Sequence, residues 1–132
     1  MQMIPRNPTD GIYAATGDYI HAMEVTAPQR FLFVSGTMGL DADGKAPAGL
    51  DAQLALLWSN IRRILADAGM TTDNVVRLTS YLRDAAFAET NQNARVQALG
   101  GRRIPTTAIV VETLTPDWLV EIEVIAAACA LA

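Results

Sequence analysis

The sequence predicts an α+β domain with helices packed on one face of a sheet. Two observations predict that class: two strand-rich openings are each followed by a helical stretch and a returning strand, and the strands carry apolar residues at both parities. A third observation sets the scale. With 132 residues, 51% of them hydrophobic, the chain builds one substantial core and is expected to form a single domain over residues 1–132.

The elements follow in order. Residues 1–18 carry Pro5, Pro8, Gly11 and Gly17 with little periodicity, which predicts an irregular N-terminal arm. Short alternation begins at Tyr19 and runs to Val25. Arg30 to Gly36 is β-rich and apolar at both parities, as expected of a strand covered on both faces. Asp41 to Lys45 reads as a turn, since Asp side chains bond nearby backbone and Gly44 tolerates positive φ.

From Asp51 to Ala68, the residues Leu54, Leu57, Ile61, Ile64, Leu65 and Ala68 recur at helical spacing, with Asp51 as the expected N-cap and Gly69 as the stop. Val75 to Leu82 alternates as a strand, placing Val76, Leu78, Ser80 and Leu82 on one side. A second helix is expected from Ala85 to Leu99, ended by Gly100 and Gly101. Pro105 opens a strand through Glu112, Pro116 and Asp117 turn the chain, and Leu119 to Ala128 alternates Glu121 and Glu123 against Val120, Ile122 and Val124. Two helices cover one sheet face only. The other face therefore calls for a second copy of the chain, and an oligomer is expected.

Composition removes several function classes. Ten Lys and Arg against fourteen Asp and Glu give a net charge of −4, which leaves no basic surplus for phosphates, so no nucleic-acid partner is expected. Apolar runs fall short of the roughly 18–20 residues that cross a bilayer, and Met1 to Ile20 lacks a signal pattern. No membrane partner and a cytoplasmic location are expected. One cysteine, Cys129, and one histidine, His21, exclude disulfide scaffolds and the usual zinc sites, and no metal is expected. No G-x-G-x-x-G or P-loop occurs, so no nucleotide cofactor is expected, and no G-x-S-x-G presents a serine nucleophile.

Several local patterns line up in order from Gly17 to Ala127. They are Gly17-Asp18-Tyr19 with Ala22, Phe33-Val34-Ser35-Gly36, Gln53 with Asn60, Ala68-Gly69 followed by Asn74 to Thr79, Phe87 to Asn91, and Val120-Glu121-Ile122-Glu123. In these the chain resembles the YjgF/RidA family of reactive-intermediate deaminases, also labelled endoribonuclease L-PSP. The resemblance implies a chorismate-mutase-like mixed sheet of about six strands with two α-helices on one face, assembled as a homotrimer. It also implies a small-molecule ligand in clefts between subunits, where family members hydrolyse 2-imino acids to 2-keto acids and ammonia. The endoribonuclease label fits an acidic chain poorly.

Such chemistry needs water aimed at the C=N carbon, polarised nitrogen and a grip on the substrate. The resemblance assigns the water to Glu121, the pocket wall to Tyr19, a polar contact to Asn91, and backbone approach to Ser35 and Gly36. Gly36 suits that last role because it has no Cβ, and its alternative reading is a β-bulge. The family grips carboxylate with an arginine in a P-x-R segment. Here the segment is Ile104-Pro105-Thr106-Thr107, and the arginine falls on Thr106 or Thr107, with Arg102 and Arg103 upstream as candidate replacements. Losing a charge-assisted hydrogen bond costs about 1.5–3 kcal/mol. That leaves two function classes, a divergent C–N hydrolase and a non-catalytic trimer that binds metabolites or protects proteins. Glu123 shares the Glu121 face about 6–7 Å along the strand. It reads as a second cleft carboxylate or as a structural partner. His21 edges the cleft or decorates a strand, Trp58 and Trp118 are packing residues, and Cys129 sits in an Ala-rich tail.

Overall fold

The computed structural model describes residues 1–131. Its strands are β1 (Gln2–Arg6), β2 (Ala22–Thr26), β3 (Arg30–Met38), β4 (Val75–Leu82), β5 (Thr106–Val110) and β6 (Val120–Ala128). Its two α-helices are α1 (Leu50–Asp67) and α2 (Ala88–Ala98), with short 3₁₀ turns at Thr72–Asn74 and Ala85–Phe87. No helix among the described residues is long and apolar enough to cross a membrane.

The fold is α+β with six strands and two helices, but the strands divide. β3-β6-β4-β5 form one sheet, mixed because β4 and β5 run parallel, while β1 and β2 pair antiparallel on their own. The N-terminal arm is thus not irregular throughout. Its first residues form β1, with Pro5 opposite Met23. A strand with one partner tolerates proline because its free edge needs no N–H, and with little of β1 buried there is no apolar alternation to announce it.

The core lies between the helices and one face of the four-stranded sheet. Leu57, Ile61 and Leu65 of α1 are fully buried, as are Leu78 of β4 and Ile122 of β6. Each such side chain contributes roughly 1.5–3 kcal/mol of burial. Ile64 lies off this stripe and stays 39% exposed. The helix starts from Gly49 at φ 90° with no side-chain cap, so Asp51 is not the N-cap and instead stands in the first turn, where its charge suits the helix dipole. The stop at Gly69, φ 67°, is as expected.

Two polar residues of α1 fasten neighbouring loops. Gln53 donates to Pro47 O and Asp117 O and accepts from Leu119 N, while Asn60 donates to Met38 O and Leu40 O. Gly39 allows α1 to approach, since a Cβ there would lie 2.1 Å from Gln53 O.

The opposite sheet face is open in the single chain. β3 was expected to be covered on both sides, yet Phe31 is 53% and Phe33 73% exposed, because both helices pack on the other face. Val34 alone of that strand is buried.

Candidate functional site

The residues singled out in the sequence gather in two places. On the open face, β3 and β6 pair at Val34 with Val124 and again at Thr37 with Ile122, so Ser35 and Gly36 together oppose Glu123 in a β-bulge. The bulge serves the neighbouring carboxylate. A Cβ on Gly36 would lie 2.3 Å from Glu121 Oε1, so glycine makes the room that the Glu121 side chain occupies. Glu121 is half-buried, and one strand over its register partner is Tyr81.

Glu123 is engaged locally. Tyr81 donates its hydroxyl to Glu123 Oε1 at 2.5 Å, and this bond, with burial second, raises the Tyr81 pKa above its usual 10.0. Of the two, Glu123 is thus the carboxylate bonded to a neighbouring side chain, and Glu121 is the one without a side-chain hydrogen bond among the described residues.

The second gathering lies on the helix side, where α2 packs over β4 and β5. Tyr19, Asn91, Thr106 and Thr107 line one cavity of about 210 Å³, together with Ser80, Asp18 and Arg95. Thr106 pairs with Leu78 and so shares the helix-facing side. Thr107 turns its hydroxyl to the open face, where it accepts from Arg77 Nη2 at 2.7 Å.

Inside the cavity wall, Arg95 Nη2 donates to Asp18 Oδ2 at 2.6 Å and Nη1 to Asp18 O at 2.9 Å. Their side chains are only 7% and 14% exposed. Burial raises the Asp18 pKa, but hydrogen bonds from Thr16 and Arg95 outweigh it and hold the carboxyl below its ordinary 3.8. Ser80 Oγ and Asn91 Oδ1 are buried with no hydrogen-bond partner. An orphaned buried polar group costs about 1–3 kcal/mol, so these two oxygens in the cavity wall are open positions for a polar partner, water included.

The two arginines upstream of Thr106 are occupied elsewhere. Arg102 donates to Thr72 O and Val75 O, and Arg103 donates to Thr16 O and Tyr19 O. Neither lines the cavity. Arg103 instead fixes the backbone of Tyr19. His21 is likewise structural, its Nε2 donating to Tyr13 O at 2.8 Å and its ring edge-on to Tyr13 and Tyr19. Trp58 is buried in α1 and Cys129 is exposed.

Sequence reasoning missed Arg95, Asp18 and Ser80. Asn91, Arg95 and Ala98 share the buried face of α2 at i, i+4 and i+7, so helical spacing from Asn91 points to Arg95. Asp18 lies inside the Gly17-Asp18-Tyr19 segment singled out in the sequence, but without a role of its own. No group of three or more His, Cys, Asp or Glu side chains converges as a metal site among the described residues.

The Endoribonuclease L-PSP family matches residues 10–128. The chain belongs to that family. A RutC family protein of Aquifex aeolicus is 36% identical over 78 residues, 58% of this chain and 60% of that protein. The RutC family protein PYRAB12510 of Pyrococcus abyssi is 33% identical over 113 residues, covering 83% of this chain and 86% of its own. Among solved structures, the Rid family protein YyfB of Yersinia pestis, described as of unknown function, superposes with a TM-score of 0.82 at 28% identity over 96% of this chain and 99% of that one. The shared fold is thus the frame that carries the Asp18–Arg95 pair.

Proposed function

We propose that this L-PSP family protein assembles as a cytoplasmic homotrimer and binds a small metabolite in clefts between copies, where it hydrolyses an imine, enamine or related C–N compound without a cofactor. One observation carries the reading. Ser35 and Gly36 lie on one edge strand of the β3-β6-β4-β5 sheet and Thr106 and Thr107 on the other, three strand spacings or roughly 14 Å apart. A ligand in the 210 Å³ cavity cannot reach both groups within one chain. The open face with Phe31 and Phe33 supplies the surface on which a second copy seats, bringing its Ser35, Gly36 and Glu121 toward the first copy's Tyr19, Asn91, Thr106 and Thr107.

In such a cleft Glu121 takes a proton from water as the oxygen adds to the C=N carbon. It returns that proton to the nitrogen to give a carbinolamine, then carries the carbinolamine hydroxyl proton to the nitrogen as the C–N bond breaks, so that ammonia departs and a carbonyl is left. Asn91 and the Ser35-Gly36 backbone hold the ligand in line for that attack.

The test pairs mass with turnover. Light scattering is expected to give three times the 14.2 kDa chain mass. Freshly generated 2-iminopropanoate and 2-iminopropanamide are then offered in the presence of a competing trap. Keto product above the water background from at least one of them, lost in Glu121→Gln with the trimer intact, supports the hydrolase. A folded trimer that turns over neither imine selects the non-catalytic binding or protein-protecting role, which the absence of an arginine at Thr106 and Thr107 favours. A monomer would overturn the shared cleft.

A further inference from the structure

Resting on the cleft reading above, we propose that the helix-side cavity selects an uncharged head group of the carboxamide class and rejects carboxylates, with the Asp18–Arg95 pair as the selecting element. The argument begins with charge. Among the described residues Arg95 is the only guanidinium that lines the cavity, and it is already matched by a carboxylate at 2.6 Å. A ligand carboxylate placed there would meet Asp18 as well as Arg95, so attraction to one is offset by repulsion from the other. Hydrogen bonds from Thr16 and Arg95 keep Asp18 ionised at neutral pH.

The open hydrogen-bonding positions specify the rest. Asn91 is 2% and Ser80 1% exposed, so neither relies on bulk water, and both present an oxygen without a partner. Asn91 Oδ1 needs an N–H donor, and a serine hydroxyl both donates and accepts. One small group that satisfies both is a primary carboxamide, whose N–H₂ reaches Asn91 while its C=O accepts from Ser80. A carboxylate carries acceptors only and leaves Asn91 Oδ1 orphaned. Thr106, on the helix-facing side, adds a neutral hydroxyl group and no charge. Size agrees, since about 210 Å³ is room for roughly seven water-sized groups. Applied to a hydrolase, the inference makes the substrate the amide of a 2-imino acid, whose imine is converted while its amide group is held.

The test compares two probes of equal size, pyruvamide and pyruvate, titrated at pH 7 into the full chain while the amide resonances of Ser80, Asn91 and Arg95 are followed. Pyruvamide is expected to shift all three and to bind about tenfold or more tighter than pyruvate. Asp18→Asn keeps a hydrogen-bonding side chain but frees the Arg95 charge. It is expected to raise pyruvate affinity about tenfold and so remove most of the preference. Ser80→Ala, a small truncation that leaves the pair intact, is expected to weaken pyruvamide about fivefold with little effect on pyruvate. Preference for pyruvate in the unaltered protein, binding of neither probe at these residues, or no gain of pyruvate affinity in folded Asp18→Asn overturns the inference. Because binding is read without turnover, these outcomes are independent of whether either imine is hydrolysed.

Discussion

The two helices of this fold lie on the same sheet yet bury opposite kinds of side chain. α1 turns Leu54, Leu57, Ile61 and Leu65 to the core, and its polar Gln53 is fully bonded to loop backbone. α2 buries Asn91, Arg95 and Ala98. A helix whose inward face is apolar supplies stability. One whose inward face is polar and incompletely paired leaves hydrogen-bonding positions open, and under the proposed function α2 is the helix that meets the ligand.

The sharpest way to break that contrast is to make α2 apolar. Arg95→Met strands the Asp18 carboxylate beside α2, and breaking a buried pair in this way costs about 3–5 kcal/mol in chemical denaturation. Asp18→Ala in the same chain is expected to recover much of that loss, because no buried charge is then left unpaired. On α1 the corresponding lesion is Leu57→Ala, where the fully buried side chain gives a cost of about 2–5 kcal/mol through transfer and cavity terms. Its ligand affinity per folded molecule is expected to be unchanged, whereas Arg95→Met alters both readouts.

The smallest effect is in acid. The Asp18 carboxyl is held below its ordinary 3.8, so the folded state binds its proton less readily than the unfolded chain. The pair's contribution is thus complete above about pH 4 and is lost as pH falls through the depressed folded value. Stability curves measured from pH 5 downward are expected to slope less steeply in the Arg95→Met, Asp18→Ala double variant than in the unaltered chain.

How far the sequence carried depended on burial. β4 alternates cleanly and was expected over the residues it occupies, Val75 to Leu82, because one face is core and the other is not. β6 differs from its expected start by one residue. β1 was hidden, since a mostly exposed strand with a proline offers no hydrophobic period to read. The site was legible where a motif carried it. Tyr19, Asn91, Thr106 and Thr107 do share a cavity, but nothing in strand or helix period reveals that Asp18 meets Arg95 across 77 residues. The order of the strands in the sheet, which separates the bulge at Ser35 and Gly36 from that cavity, is equally a property of the tertiary fold alone.

The contact between Gly36 and Glu121 has a genetic corollary. An added methyl at position 36 meets the end of a flexible carboxylate side chain, which can swing aside at little cost to the fold. At Gly39 the same methyl meets the backbone carbonyl of Gln53, which cannot. In a library of single-codon changes scored by protein abundance, Gly39→Ala is therefore expected to drop out and Gly36→Ala to persist. Scored by selection for the proposed activity, both are expected to disappear, which would make Gly36 a position where alleles lose function while leaving a normal amount of protein in the cell.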